Sequence, residues 1–168
     1  MEKSNFSVFI LIRKRYIMRS IVYNSSLKTE LGTILITANE EELLGIHFVS
    51  LAPSENENKL TKTVKKELIE YFAKTRTVFS KYPLKLSTIE RQIFTVVREI
   101  PYGETISYYQ VAKELGNVNA VKSVAKVLQD NPYLILLPCH RVLGKNKTLY
   151  NYQAGIKVKE QLLKLEQM

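Results

Sequence analysis

Three short β-rich runs near the start of the chain constrain its fold most strongly. They cover residues 21–23, 32–38 and 43–49, and the turn-prone or polar stretches 24–26 and 39–42 separate them. This spacing suits an antiparallel meander. A helix is predicted from about 60 to 74, because apolar residues recur every four positions on one face: Leu60, Val64, Leu68 and Phe72. We therefore expect a three-stranded sheet covered by one helix.

The second half of the chain has helical periodicity. Ser87 and Glu90 have the spacing of a capping box, which predicts a helix from about 88 to 100 that ends at Pro101. Two short helices, 107–115 and 120–129, are joined by four residues that include a glycine, which indicates a helix-turn-helix. An ordinary pair of antiparallel helices is the alternative, which the basic second helix disfavours. A buried apolar run at 133–137 and a last helix from about 157 to 167 complete the pattern.

The sequence thus predicts an α/β (α+β) chain with two small domains. The first is an α/β domain over 20–80, followed by a linker at 81–86 and a mostly helical domain over 87–168. Residues 1–19 pair a short apolar run with a basic cluster, in the order opposite to a secretory signal. Their apolar run is also too short for a membrane span, which needs about 20 residues. They form either an extra strand with a basic turn or a loose extension, and we favour the extension.

Composition excludes several classes of protein. The single cysteine, Cys139, cannot form an intramolecular disulfide, and with only two histidines, His47 and His140, no cysteine-rich zinc site can be assembled. His47 lies in an apolar strand-like run and is expected to be structural. The formal charge of +9 favours a polyanionic partner such as nucleic acid or an acidic membrane.

Cys139 is the candidate nucleophile. It ends a buried apolar run and directly precedes His140 and Arg141. A thiolate is the reactive form of cysteine, and neighbouring cationic or hydrogen-bonding groups raise its population. A buried structural cysteine is the alternative, because neighbours in sequence need not be partners in space.

The surrounding motifs resemble those of O6-alkylguanine-DNA alkyltransferases, which repair DNA by direct reversal. Residues 137–143 read Leu-Pro-Cys-His-Arg-Val-Leu, the family's motif around the reactive cysteine, and 100–108 resemble the approach to its helix-turn-helix. Asn131 with Pro132 matches its asparagine hinge, and Asn151 with Tyr152 its active-site loop. The resemblance runs from about 87 to 166. It implies a variable ribonuclease-H-like first domain and a winged-helix-like second domain.

The resemblance also implies a mechanism. Cys139 attacks the alkyl carbon on O6 of guanine, or on O4 of thymine, and keeps the alkyl group as a thioether. His140, oriented by Glu166, takes the thiol proton through a water, as a base does in a hydrolase triad. Tyr108 protonates the departing guanine at N3. Asn131 holds the reactive segment beside the thiol. From the residues alone, Tyr109 could replace Tyr108, Glu166 could be a solvated helix carboxylate, and His140 could be a core histidine.

Pocket and DNA contacts follow from the same resemblance. The damaged base must leave the duplex, which costs a few kcal/mol. The helix at 120–129 would lie in the minor groove, where readout is degenerate. The implied substrate-pocket residues are Leu128, Val142, Tyr152 and Gln153, with the backbone carbonyls of Cys139 and Val142 facing the guanine amine. The implied DNA-binding residues are Ala120, Lys122, Ala125, Lys126 and Arg141. Five basic residues and one acidic residue fall within 120–147.

The sequence departs from the family pattern in two places, one on the second helix of the helix-turn-helix and one in the active-site loop. Lys122 stands where relatives usually have an intercalating arginine, and lysine lacks the planar guanidinium that stacks on bases. In the active-site loop, Tyr150 and Ala154 are bulkier than the usual residues and would narrow or stiffen the pocket.

The expected partner is double-stranded DNA containing O6-alkylguanine, bound by a monomer with little sequence preference. No cofactor, metal or membrane contact is expected, and the expected location is cytoplasmic with the DNA, or nuclear in a eukaryote. Two other functions remain open: a non-catalytic protein that recognises alkylated bases, and a helix-turn-helix transcription regulator, usually a dimer on a defined operator. The presence of Cys139 disfavours the first.

Overall fold

The computed structural model describes residues 21–167. In this range five α-helices accompany a three-stranded antiparallel sheet, so the predicted α/β (α+β) class is confirmed. The strands are β1 (Tyr23–Thr29), β2 (Gly32–Ala38), β3 (Leu43–Val49), β4 (Ile106–Ser107) and β5 (Val142–Leu143). The helices are α1 (Lys59–Phe72), α2 (Thr88–Arg98), α3 (Tyr108–Glu114), α4 (Val121–Gln129) and α5 (Ile156–Gln167). The extension predicted at 1–19 lies outside the described residues.

The sheet is a meander of β1, β2 and β3. Tyr23 pairs with Ala38 and Thr29 with Gly32 across a tight turn, and β3 returns along the other side of β2. Alternate residues of β2 point into the core: Ile34, Ile36 and Ala38 are fully buried. Helix α1 packs on β1 and β2 and buries Val64, Leu68 and Tyr71. The predicted sheet and covering helix are therefore confirmed.

One strand begins later in the chain than the pattern indicated. Residues 24–26, predicted as a turn, lie inside β1, and the turn is at 30–31. Backbone pairing with β2 overrides the turn preference of asparagine and serine here. The buried Ser25 hydroxyl donates to Glu57, and the backbone of Asn24 exchanges two hydrogen bonds with that of Asn56, at 2.8 and 3.2 Å.

Helix α2 begins at the predicted capping box. The Ser87 amide donates to Glu90 Oε2 at 2.7 Å, and the Glu90 amide donates to Ser87 Oγ at 3.4 Å. The helix buries Ile93, Phe94 and Val97. Ile89 is 48% exposed, because it lies in the first turn of the helix beside the exposed cap.

The helix-turn-helix consists of α3 and α4. Ser107 caps α3, and Gly116 with φ of 74° ends it. A single 3₁₀ turn, Val118–Ala120, leads into α4. A parallel pairing of Ile106 with Val142 joins the start of this unit to the segment that follows Cys139. No helix within residues 21–167 is both long and apolar enough to cross a membrane.

Candidate active site

Cys139 lies at the end of a buried segment and opens a 3₁₀ turn, Cys139–Arg141. Its side chain is almost fully buried. The Asn131 side chain spans the segment, because its Nδ2 donates to the Leu137 carbonyl at 2.8 Å and contacts Cys139 Sγ at 3.1 Å. Its Oδ1 accepts from the Tyr133 amide at 2.9 Å. Asn131 therefore connects the two ends of residues 133–139, which we call the reactive segment: it contacts Tyr133 at the start and Leu137 and Cys139 at the end.

The environment keeps the Cys139 thiol protonated. Burial raises the pKa of Cys139 to about 11, and the hydrogen bond from Asn131 and the charge of Lys159 offset this only in part. At neutral pH a thiol with this pKa is not a spontaneous nucleophile. A base must remove its proton during the reaction.

His140 is the group placed to act as that base. Its imidazole is fully buried, and its Nε2 lies 2.8 Å from Glu166 Oε1. Burial lowers the pKa of His140 below its usual value, although Glu166 opposes the shift. The ring is thus neutral at pH 7, and because a carboxylate can only accept, the proton is assigned to Nε2. Among the described protein atoms Nδ1 has no hydrogen-bond partner, so its lone pair is free to accept a proton.

Glu166 is the centre of a buried hydrogen-bond network. Its carboxylate accepts from His140, from Tyr71 at 2.7 Å, and from Arg141 at 2.8 and 2.9 Å. Burial raises its pKa, but the hydrogen bonds from His140 and Arg141 outweigh burial and leave the pKa well below its usual range. The alternative of a solvated helix carboxylate is therefore wrong.

Gly103 brings the backbone of the preceding loop against this network. Its amide lies 3.2 Å from Glu166 Oε2, and its φ is 80°. A Cβ at this position would lie 2.8 Å from the Glu166 carbonyl oxygen. Glycine is required here both for the backbone conformation and for the close approach.

Arg141 does not face DNA, which corrects the prediction made for it. The side chain is buried, pairs with Glu166 and donates to the Ile100 carbonyl at 2.8 Å. Its guanidinium also lies 5.7 Å from the centre of the Tyr102 ring. A buried carboxylate attracts the nearest guanidinium, and a count of charges along the sequence does not reveal such a partner.

Tyr108 is the inward-facing member of the tyrosine pair. Tyr109 is 56% exposed, whereas Tyr108 is partly buried at the start of α3. Burial, together with the charge of Cys139 and then of Tyr150, raises the pKa of Tyr108 to about 12. Its hydroxyl therefore stays protonated and able to donate.

Lys159 is a site residue that sequence reasoning missed. It is 1% exposed, and its Nζ donates to the Val142 carbonyl at 2.8 Å and lies 5.9 Å from the centre of the Tyr108 ring. Burial lowers its pKa, and the Cys139 charge opposes that shift. The spacing on α5 could have indicated its burial, because Lys159 lies three residues before Leu162 and seven before Glu166, which places all three on one face of the helix. Tyr71 was missed as well, because it comes from α1, 95 residues away in sequence.

Of the four predicted pocket residues, three are buried and one is exposed. Tyr152 and Val142 are buried beside the reactive segment, and Leu128 belongs to the hydrophobic core. Gln153 is exposed, and its Oε1 lies 2.9 Å from His47 Nδ1. The Val142 carbonyl already accepts from Lys159, and that of Cys139 accepts from the Val142 amide. Contact of these groups with a base stays a prediction.

The predicted DNA-binding face is exposed along α4. Lys122 and Lys126 are exposed, whereas Ala120 and Ala125 are partly buried. Lys126 forms an ion pair of 3.1 Å with Asp130. A groove of about 750 Å³ runs beside this helix, lined among others by Tyr108, Val121, Lys145, Lys147 and Tyr150. Two lysines therefore line an open groove that reaches Tyr108.

Residues 21–167 contain no group of three or more histidine, cysteine, aspartate or glutamate side chains able to hold a metal ion.

Two family models match the chain. The ribonuclease-like domain of 6-O-methylguanine DNA methyltransferase matches residues 22–86, and the DNA-binding domain of the same family matches residues 88–168. The precise domain limits given above stay predictions.

Curated relatives and solved structures agree with these matches. A methylated-DNA–protein-cysteine methyltransferase of Methanosarcina acetivorans is 33% identical over 86% of this chain and 98% of its own. The constitutive enzyme of that name from Bacillus subtilis is 35% identical, over 87% and 96%. The crystal structure of Mycobacterium tuberculosis O6-methylguanine methyltransferase superposes with a TM-score of 0.78 at 26% identity, covering 88% of this chain and 93% of that one. A structure of M. tuberculosis OGT in complex with DNA gives 0.74 at 27% identity, covering 85% and 92%.

Fold and site together define a DNA-binding protein with a helix-turn-helix and a buried free cysteine that is followed by a buried histidine–glutamate pair. The chain belongs to the 6-O-methylguanine DNA methyltransferase family.

Proposed function

We propose that the protein repairs DNA by transferring the alkyl group of O6-alkylguanine to Cys139, in a single irreversible event. Family membership supports alkyl transfer as its activity and DNA as its partner. The observation that carries the assignment to these residues is two buried pairs on adjacent residues of the chain: Asn131 with Cys139 at 3.1 Å, and His140 with Glu166 at 2.8 Å.

The reaction follows from the protonation states of the site. His140 Nδ1 takes the Cys139 proton through a water, and Glu166 stabilises the imidazolium that forms. The sulfur attacks the alkyl carbon, a new C–S bond forms, and the bond between that carbon and guanine O6 breaks. Its electron pair remains on the guanine, which Tyr108 protonates at N3. Lys159 lies near enough to favour negative charge on Cys139 and Tyr108.

The thioether has no route back to the thiol. Hydrolysis of a thioether needs a second activated nucleophile, and Cys139 is the only thiol of the chain. Each protein molecule is therefore expected to act once. O4-alkylthymine is a second expected substrate, because its alkyl carbon is bound to an equivalent exocyclic oxygen.

The exposed lysines beside the groove support the DNA contact. Lys145 and Lys147 line the groove, and Lys122 follows the groove-lining Val121 on α4, so three exposed cations are available to phosphates. We propose that the protein binds as a monomer in the minor groove, with little sequence preference, and turns the damaged base out toward Tyr108. Its proposed location is cytoplasmic, with the DNA.

A titration tests this function. Duplex DNA with one O6-methylguanine is incubated with increasing amounts of protein, and the lesions remaining are counted by mass spectrometry of the nucleosides. We expect one lesion lost per protein molecule and then a plateau. Continued turnover would contradict the single-event mechanism. Tight binding with no lesion lost would favour a non-catalytic protein that recognises alkylated bases.

A further inference from the structure

Strand β3 of the N-terminal domain touches the reactive segment of the C-terminal domain. The Ile46 amide donates to the Pro132 carbonyl at 2.9 Å, and the Leu134 amide donates to the Ile46 carbonyl at 3.1 Å. These two bonds flank Tyr133, which lies two residues after Asn131. The same strand therefore supports the residue that contacts the Cys139 sulfur.

The next residue of β3, His47, contacts the segment of the C-terminal domain that carries Tyr152. His47 Nδ1 lies 2.9 Å from Oε1 of Gln153, which follows the buried Tyr152. An amide oxygen can only accept, so with this amide orientation His47 Nδ1 carries the proton and donates. The ring lies over Gly45, where a Cβ would come within 2.6 Å of Nε2. The glycine leaves the space that this ring position requires.

The loop at 145–155, which we call the Tyr152 loop, makes few other hydrogen bonds to the rest of the protein. Among the described residues, its remaining hydrogen bonds join loop residues to one another or to its flanks at Gly144 and Lys159. Within residues 21–167, the His47 to Gln153 hydrogen bond is the one that joins this loop to the N-terminal domain. Tyr152 packs into the core with Ala154 against it, and most other residues of the loop are exposed. Because few hydrogen bonds join the loop to the rest of the protein, loss of one of them should have a measurable effect on its opening.

We infer that His47 is a positioning residue, which holds the Tyr152 loop in place through Gln153 so that the Tyr152 ring stays buried in the core cluster that contains Cys139. Its effect on the rate rests on the proposed alkyl transfer, whereas the tie between strand and loop does not. The N-terminal domain then positions two parts of the site through consecutive residues of β3. Ile46 supports the segment next to Asn131, and His47 supports the loop that carries Tyr152.

The test compares five variants with the wild-type chain. His47→Ala and Gln153→Ala each remove the bond, and the double variant removes both partners. His47→Asn retains a donor at the δ position and serves as the rescue. Gln161→Ala, at an exposed glutamine on α5, is the matched control. Amide exchange of the peptide covering 145–155 is measured without DNA. Methyl transfer at saturating methylated duplex, and the Kd for that duplex, are measured separately.

We expect faster loop exchange and slower saturated transfer in His47→Ala and Gln153→Ala, each by about fivefold, the size of one net hydrogen bond. The Kd should stay within about twofold, since no phosphate contact is lost. The double variant should be no slower than either single variant. His47→Asn should recover most of the loss, and Gln161→Ala should behave as wild type.

Three results would overturn the inference: unchanged loop exchange in both single variants, faster exchange with unchanged transfer, or slower transfer with unchanged exchange. If the wild-type chain transfers no methyl group, the proposed function fails. The exchange data alone then decide whether His47 holds the loop, because they need no substrate.

Discussion

The buried site and the exposed face of α4 lie close together but depend on different physics. Asn131, Cys139, His140 and Glu166 are each at most 5% exposed, and each has a specific partner or role in the buried network. Lys122 is exposed, and the contact with DNA proposed for it is through charge at the surface. Low dielectric makes each buried contact strong and each lost partner costly, whereas solvent screens the surface lysines.

This contrast means that chemistry and DNA contact can be separated by mutation. A change in the buried network should reduce transfer and often stability, with DNA affinity retained. A change on α4 should reduce affinity with the fold intact.

The largest effect is expected from Cys139→Ala. Loss of the only thiol should abolish alkyl transfer, because no other nucleophile replaces it, while DNA affinity stays close to wild type. Gel-shift titration on methylated duplex and a lesion count check both parts. Residual repair by this variant would place the acceptor elsewhere.

Glu166→Gln should affect both rate and stability. The change leaves the buried Arg141 without its anion and His140 without its orienting carboxylate, so we expect a rate lower by on the order of 100-fold or more. The free energy of unfolding should fall by about 3–5 kcal/mol, as measured by urea denaturation.

Glu160→Gln is the matched control on the same helix. Glu160 pairs with Lys164 at 2.9 Å in solvent, so its loss should cost about 0–1 kcal/mol. An equal decrease in the free energy of unfolding for the two variants would show that the buried network stabilises the protein no more than an exposed ion pair does.

The pH dependence of transfer comes next. Because burial lowers the pKa of His140, its Nδ1 stays free of a proton down to below about pH 6.5, its unperturbed value. Because the pKa of Cys139 is raised to about 11, little free thiolate forms at pH 7 to 9. Single-turnover rates should be flat from about pH 7 to 9 and fall about tenfold per unit below the His140 pKa. A rate that climbs tenfold per unit between pH 7 and 9 would indicate attack by free thiolate without the histidine.

The smallest effect is expected at Lys122. Lys122→Ala should weaken duplex binding a few-fold and lower the slope of log K against log salt by about 0.9, the loss of one phosphate contact. Lys122→Arg should keep that slope and speed transfer, since a guanidinium stacks in the space of the displaced base. Salt titrations and single-turnover rates measure both, and a collapse of stability in either variant would contradict an exposed role.

Local pattern predicted most of the fold. Period and capping residues placed α1, α2 and the helix-turn-helix, since these signals lie within a few neighbouring residues. The strand β1 was misplaced because Asn24 and Ser25 favour turns locally, and only pairing with β2 keeps them extended.

The site was less predictable from local signals. The family motifs assigned roles to Cys139, His140 and Glu166. The helical pattern alone, by contrast, favoured a solvent-exposed carboxylate at Glu166. Arg141 was assigned to DNA because its partner is 25 residues away. The contributions of Tyr71 and His47 depend on how the first domain packs on the second, and no spacing in the sequence encodes that packing.

Peptide mapping tests the central claim most directly. Wild-type protein is incubated with excess duplex containing O6-methylguanine, digested, and analysed by tandem mass spectrometry. We predict one added methyl group on the Cys139 sulfur in nearly every molecule and none in a control with unmethylated duplex. An unmodified Cys139 after the lesion has disappeared, or a methyl group on another residue, would contradict the account.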